Sequence, residues 1–171
     1  MNFRIPPEAP MPARDAAFVR SYLDTLTLLE RLHRLLLDVI KDEFERLGIL
    51  DVNPVQALLL FNVGDHEVTA GELKSRGYYQ GSSVGSNLKK LVEMGYMHDQ
   101  QSEVDRRSVR VRLTDEGRRL HETVARLFAA HAAGLTAWGV LDLDAMDNTT
   151  RSLKRMERYW SAQIDISAEG V

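Results

Sequence analysis

The sequence predicts a mainly α-helical protein broken by one short β-hairpin, and three observations carry that reading. Long stretches free of Gly and Pro repeat apolar residues every three or four positions, one stretch alternates every second residue, and short Gly-bounded helices stand directly before it. With 171 residues, 44% hydrophobic and 27% charged, the chain can bury a core without metal or disulfide staples. Cysteine is absent, which excludes thiol catalysis, disulfides and thiolate metal sites. No apolar run approaches the roughly 18 residues of a membrane span, and the start of the chain lacks the apolar core of a signal peptide. The expected address is the cytoplasm, with no membrane partner.

Residues 1–13 hold Pro6, Pro7, Pro10 and Pro12, which predicts a flexible arm in place of helix or sheet. From Asp15 to Leu47 nothing breaks a helix, and Tyr22, Leu26, Leu29, His33, Leu36, Ile40 and Leu47 keep its period up to Gly48. At 1.5 Å per residue such a helix spans roughly 50 Å, more than a domain of this size covers with its own core. Its second apolar row, Leu28, Leu32, Leu35 and Val39, predicts that it faces both its own domain and a second copy. Asn53-Pro54-Val55-Gln56 reads as N-cap, first-turn proline and capping-box glutamine of a helix ending at Gly64. Thr69 and Glu72 repeat the box ahead of a short helix to about Arg76. After Gly77-Tyr78-Tyr79-Gln80-Gly81 a third helix runs from Ser82 to Met94, with Val84, Leu88, Leu91 and Val92 on one face and Gly95 closing it.

The period then changes. Tyr96–Gln100 and Val109–Leu113 alternate apolar with polar side chains and predict an antiparallel hairpin with a polar, basic tip. Thr114-Asp115-Glu116 caps the next helix with acids in its positive first turn, and Leu120, Val124, Leu127, Phe128 and Leu135 continue its stripe. Asp142 to Ile164 forms the last helix, with Met146, Leu153, Met156, Trp160 and Ile164 at helical spacing.

The net charge of -3 hides an asymmetry. Residues 74–114 carry eight basic against four acidic side chains, +4, while the remainder carries 14 against 21, or -7. A basic middle between acidic flanks is the footprint that nucleic-acid contact requires, although a charge cluster is also what an ordinary solvated face shows.

The order of elements is that of a winged helix-turn-helix with a two-stranded β wing, embedded in a helical dimerisation region. The expected organisation is an arm over 1–13, dimerisation helices over 14–50 and 118–165, the winged segment over 51–117 and a tail over 166–171. Phe18, Tyr22, Leu26, Leu153 and Trp160 are the expected dimer contacts. In such a motif the helix after the turn enters the major groove. Its outward residues here are Ser82, Ser83, Ser86, Asn87 and Lys90: hydroxyls and an amide suit base edges, and Lys reaches phosphate or guanine. At the hairpin tip, Arg106 or Arg107 suits a narrow minor groove, with Asp105 orienting one of them. A competing reading is a winged-helix adaptor that docks protein, for which an apolar, weakly charged recognition face would be the mark.

The run Asp105-Arg106-Arg107-Ser108 followed by Leu113-Thr114-Asp115-Glu116-Gly117 resembles the wing signature of the MarR family, and Leu88–Tyr96 is similar to that family's recognition-helix exit. The resemblance spans residues 15–165 in element order. It implies a homodimeric transcription factor, usually a repressor, whose hold on a pseudo-palindromic DNA operator is changed by a small-molecule effector, since the thiol-oxidation route is closed to a chain without cysteine. It also implies an effector pocket at the junction of dimer helices and DNA-binding lobe, where Phe44, Leu59, Tyr78 and Phe128 are the candidates and plain core packing the alternative. Gly81 and Gly85 depart from the family pattern. A mid-helix Gly costs about 1 kcal/mol, so Gly85 either admits the DNA backbone closely or leaves the helix start loose. Gly77–Ser82 with Asn87–Lys90 further resembles a bacterial subgroup that controls cell-envelope and stress genes.

Two other patterns fail. Gly81-Ser82-Ser83-Val84-Gly85 matches the nucleophile elbow, but that motif needs a strand of a large parallel sheet before it and a downstream Asp and His, so no catalytic residue is assigned and no enzyme is expected. The histidines at 33, 66, 98, 121 and 131 lack metal-binding spacing, so neither a metal nor another cofactor is expected.

Overall fold

In the computed structural model, which describes residues 13–75, 83–101 and 109–168, the sequence signals become six helices and one small sheet. Helix α1 runs from Ala13 to Leu47 without interruption. Helix α2, Pro54–Val63, starts as its capping box dictates: the Gln56 amide donates to Asn53 Oδ1 at 2.9 Å and the Asn53 amide donates to Gln56 Oε1 at 3.0 Å. That reciprocal pair explains how Gln56 is buried without an unmet polar atom. Thr69 and Glu72 do the same at the start of α3, Ala70–Ser75, with bonds of 2.7 and 3.1 Å. The predicted end of α3 at Arg76 lies outside the described residues.

Helix α4 spans Ser83–Glu93, α5 Asp115–Ala137 and α6 Leu143–Ala168, whose cap is Asp142, accepting from the Ala145 amide at 2.8 Å. The sheet keeps the expected two-stranded hairpin and adds one strand to it. It has three strands in the order β1-β3-β2, because Val68–Thr69, read from sequence only as a helix cap, also pairs as β1 with β3, Val109–Leu113. Val68 faces Val111 and Thr69 faces Arg110, while β2, Met97–Gln101, pairs from Met97 opposite Leu113 to Gln101 opposite Val109. Burying Val68 with Val111 removes apolar area from water and gives a two-residue strand its reason to form.

Contacts divide the chain into two compact units, residues up to Leu26 together with His131 onward, and Thr27–Ala130. These limits differ from the sequence boundaries at 50/51 and 117/118. Ile40 and Phe44 of α1, and Leu120 and Val124 of α5, are buried with the winged segment, so the larger part of α1 and of α5 belongs to this unit. Among the described residues, every buried hydrophobic residue, from Ile40 to Val124, lies in this second unit.

Candidate nucleic-acid interface

Helix α4 is amphipathic in the manner a recognition helix requires. Val84, Leu88 and Leu91 are buried against α2 and α3, whereas Ser86 and Lys90 are exposed and Asn87 is half-buried. Its first turn carries no acid, so the partial positive charge of the helix start is not offset there by a carboxylate. Ser83 opens the helix, and Ser82 lies outside the described residues. Gly85 is exposed, and a Cβ placed on it would meet nothing within 4 Å. Lys89 is engaged with Glu93 at 3.7 Å, leaving Lys90 as the exposed cation of the outward face.

Besides its buried apolar side chains, a polar junction ties the exit of α4 to the wing and to α5. Gly95, at φ +80°, ends the helix in a left-handed conformation that side chains rarely adopt. The chain then turns into β2, and the Thr114 hydroxyl donates to the Gly95 carbonyl at 2.8 Å while accepting from the Gly117 amide at 3.0 Å. The Thr114 amide donates to the Tyr96 carbonyl at 3.1 Å. A Cβ on Gly117 would sit 2.1 Å from that same carbonyl oxygen, so only glycine fits. The Thr-x-x-Gly pattern therefore couples the exit of α4 to the start of α5 through bonds that no single element contains.

Tyr96 anchors the junction from the other side. Its phenol donates to Asp51 Oδ2 at 3.0 Å, and burial together with that carboxylate pushes its pKa up to about 12. At the start of α5, Arg118 pairs with Asp115 and holds that carboxyl below its usual range, and Arg119 pairs with Glu116.

The wing tip residues Asp105, Arg106 and Arg107 lie outside the described residues, as does Tyr78. The wing base shows two cations that the site assignment from sequence missed. Arg112 is exposed on β3 opposite His98, and Arg110 stands 3.9 Å from Glu72. Their signal was present in the basic count of residues 74–114.

The remaining candidates are placed as follows. Phe44 and Leu59 are buried in the core, and Phe128 packs edge-on against Phe61 with ring centroids 5.1 Å apart, while His121 stacks on Phe61 at 5.0 Å. Phe18 and Trp160 are exposed, and Tyr22, Leu26 and Leu153 are half-buried. Among the described residues no group of three His, Cys, Asp or Glu side chains could hold a metal, and no helix is long and apolar enough to cross a membrane.

Comparison with known proteins agrees with this geometry. A family model described as a winged helix DNA-binding domain matches residues 52–117. The exopolysaccharide II synthesis transcriptional activator ExpG of Rhizobium meliloti is 31% identical over 140 residues, covering 82% of this chain and 72% of that protein. FabT of Streptococcus pneumoniae, solved in complex with DNA, superposes with a TM-score of 0.65 at 18% identity, over 83% of this chain and 99% of its own. A MarR transcriptional regulator from Methanosarcina mazei Go1 gives 0.65 at 23% identity, over 80% and 95%.

Proposed function

This chain belongs to the MarR family of winged-helix transcriptional regulators, and from that premise we propose that it acts as a homodimer on a pseudo-palindromic operator and is modulated by a small-molecule ligand. It is a DNA-binding regulator and not an enzyme. The observation that supports the reading of α4 is its division into a buried apolar side and an outward side of Ser86, Asn87 and Lys90, which offers donors, acceptors and a cation to base edges and phosphate. A protein adaptor would instead present apolar surface there.

Support for a homodimer comes from the other unit. Its described residues bury no hydrophobic side chain, yet they carry Phe18, Leu23, Leu143 and Trp160 on the helices and Trp138 and Val140 in the α5–α6 turn in solvent. Helices without a core are unstable in isolation, and a second copy supplies the missing apolar surface. Two copies of α4 would then meet half-sites about one turn, roughly 34 Å, apart. A ligand acts by binding the DNA-competent and DNA-incompetent states with different affinity, and its effect is bounded by that difference. Repression is the sign that the family resemblance implies, with cell-envelope or stress genes as targets.

The test is fluorescence anisotropy with the intergenic duplex upstream of the chain's own gene, at about 50 and 200 mM salt, against a scrambled duplex. Specific binding should fall steeply with salt. Asn87→Ala should lose about 1–3 kcal/mol of discrimination, and Arg107→Ala should weaken both duplexes and lower the salt slope by about 1. Equal affinity for both duplexes, unchanged in both variants, would overturn the assignment.

A further inference from the structure

We propose that the backbone of one operator strand seats directly over Gly85, between α4 and the wing, and that the missing side chain is what lets it approach. The proposal rests on the reading of α4 as the operator-reading helix and names the position that sets how closely α4 meets DNA. Glycine is the poorest helix former after proline, so a glycine inside a helix needs a reason. At Gly95 and Gly117 the fold supplies one, a left-handed φ at the first and the Tyr96 carbonyl in the way of any Cβ at the second. Neither reason holds at Gly85, which is not among the glycines of positive φ and where a Cβ would meet nothing within 4 Å. The chain itself leaves room for a side chain that the sequence does not place there.

Open surroundings alone do not mark a contact, since Gly134 of α5 shares them. Position singles out Gly85. It is exposed beside Ser86, and it edges a groove of about 410 Å³ between α4 and β3, where Lys89 comes from the helix and Val109, 49% exposed, from the strand. A helix in the major groove with its wing in the adjoining minor groove straddles the strand that divides the two grooves. The part of the duplex that meets the α4–β3 groove is therefore a sugar-phosphate ridge, which offers apolar deoxyribose to Val109 and a phosphate to Lys89. The pairing of Lys89 with Glu93 does not oppose this, because both side chains are mostly exposed and such pairs exchange at little cost. Glu93 and Asp99 also line the groove and repel phosphate. Glu93 lies two turns, about 12 Å, along α4 from Gly85, and Asp99 pairs with Val111, two residues along β3 from Val109. The ridge is thereby confined to the Gly85 end.

The test uses the full chain with the upstream intergenic duplex and its scrambled control, and two substitutions that differ in size while both favour helix, Gly85→Ala and Gly85→Leu. Each should raise the midpoint of chemical unfolding, since a strong helix former replaces glycine where the backbone suits any residue. Each should nonetheless weaken operator binding in fluorescence anisotropy, Gly85→Ala on the order of tenfold and Gly85→Leu further. Stability and affinity moving in opposite directions is the signature. A glycine that only keeps the helix start loose would give variants that bind as tightly as the unchanged protein or more tightly, through preorganisation, and that result overturns the proposal. A fall in both stability and affinity overturns it too, because the added side chain then clashes within the chain. An unchanged protein that does not distinguish the upstream duplex from the scrambled one overturns the operator reading of α4 and this inference with it.

Discussion

The two units of this chain use the same kind of helix to different ends. In Thr27–Ala130, short helices and a three-stranded sheet close around Leu59, Leu60, Leu73 and Leu91, all buried, so this unit has a core of its own even though Leu28, Leu32 and Leu35 of α1 stay exposed. In the other unit the apolar stripes of α1 and α6 are as regular in sequence but stay largely in solvent. Periodicity thus reports that a helix has an apolar face, and not whether its own chain covers it. The difference separates a unit with a buried core from helices whose apolar side chains stay in solvent within the single chain.

The sharpest way to break this comparison is to truncate one apolar side chain in the buried core of Thr27–Ala130 and one exposed apolar side chain in the other unit. Leu60→Ala should cost about 2–5 kcal/mol in chemical denaturation. Val140→Ala, measured at concentrations too low for dimer formation, should stay within about 0.5 kcal/mol. Equal losses would mean that the turn is buried within a single chain.

A slightly smaller effect is expected at the junction between α4 and α5. Gly117→Ala forces a Cβ onto the Tyr96 carbonyl, and the backbone shift should cost about 1–3 kcal/mol. Because the same carbonyl accepts from Thr114, operator affinity should fall along with the unfolding midpoint. Retained stability would show that the junction yields easily and does not position α4.

The smallest expected effect is alkaline. The neutral Tyr96 phenol is favoured in the folded state, so its stabilisation is complete below the unfolded pKa of 10.0 and is lost as pH rises towards about 12. The loss should be on the order of 2 kcal/mol across that window. Tyr96→Phe should remove this part of the pH dependence relative to the unchanged protein, and identical profiles for the two would refute the buried Tyr96 phenol as its source.

How much of this was legible in the sequence depended on range. The capping boxes at Asn53/Gln56 and Thr69/Glu72 each close within three residues, so the pattern alone placed both helix starts. The division of α4 into Val84, Leu88 and Leu91 against Ser86, Asn87 and Lys90 follows from the helical period, and the structure keeps it. Strand β1 escaped because two residues carry no period, and only their pairing with Val111 and Arg110, more than forty positions away, makes them a strand. Phe44 and Leu59, candidates for an effector pocket, sit in the core because helices distant in sequence cover them.

The sequence by itself determined the element order, the local caps, the basic centre and the absence of thiol chemistry, since each depends on neighbours or on counting. Tertiary structure decided which apolar faces are covered, why position 117 must be glycine and where the compact units divide. Those outcomes depend on which carbonyl, side chain or strand arrives from far along the chain, and burial is a property of that arrival.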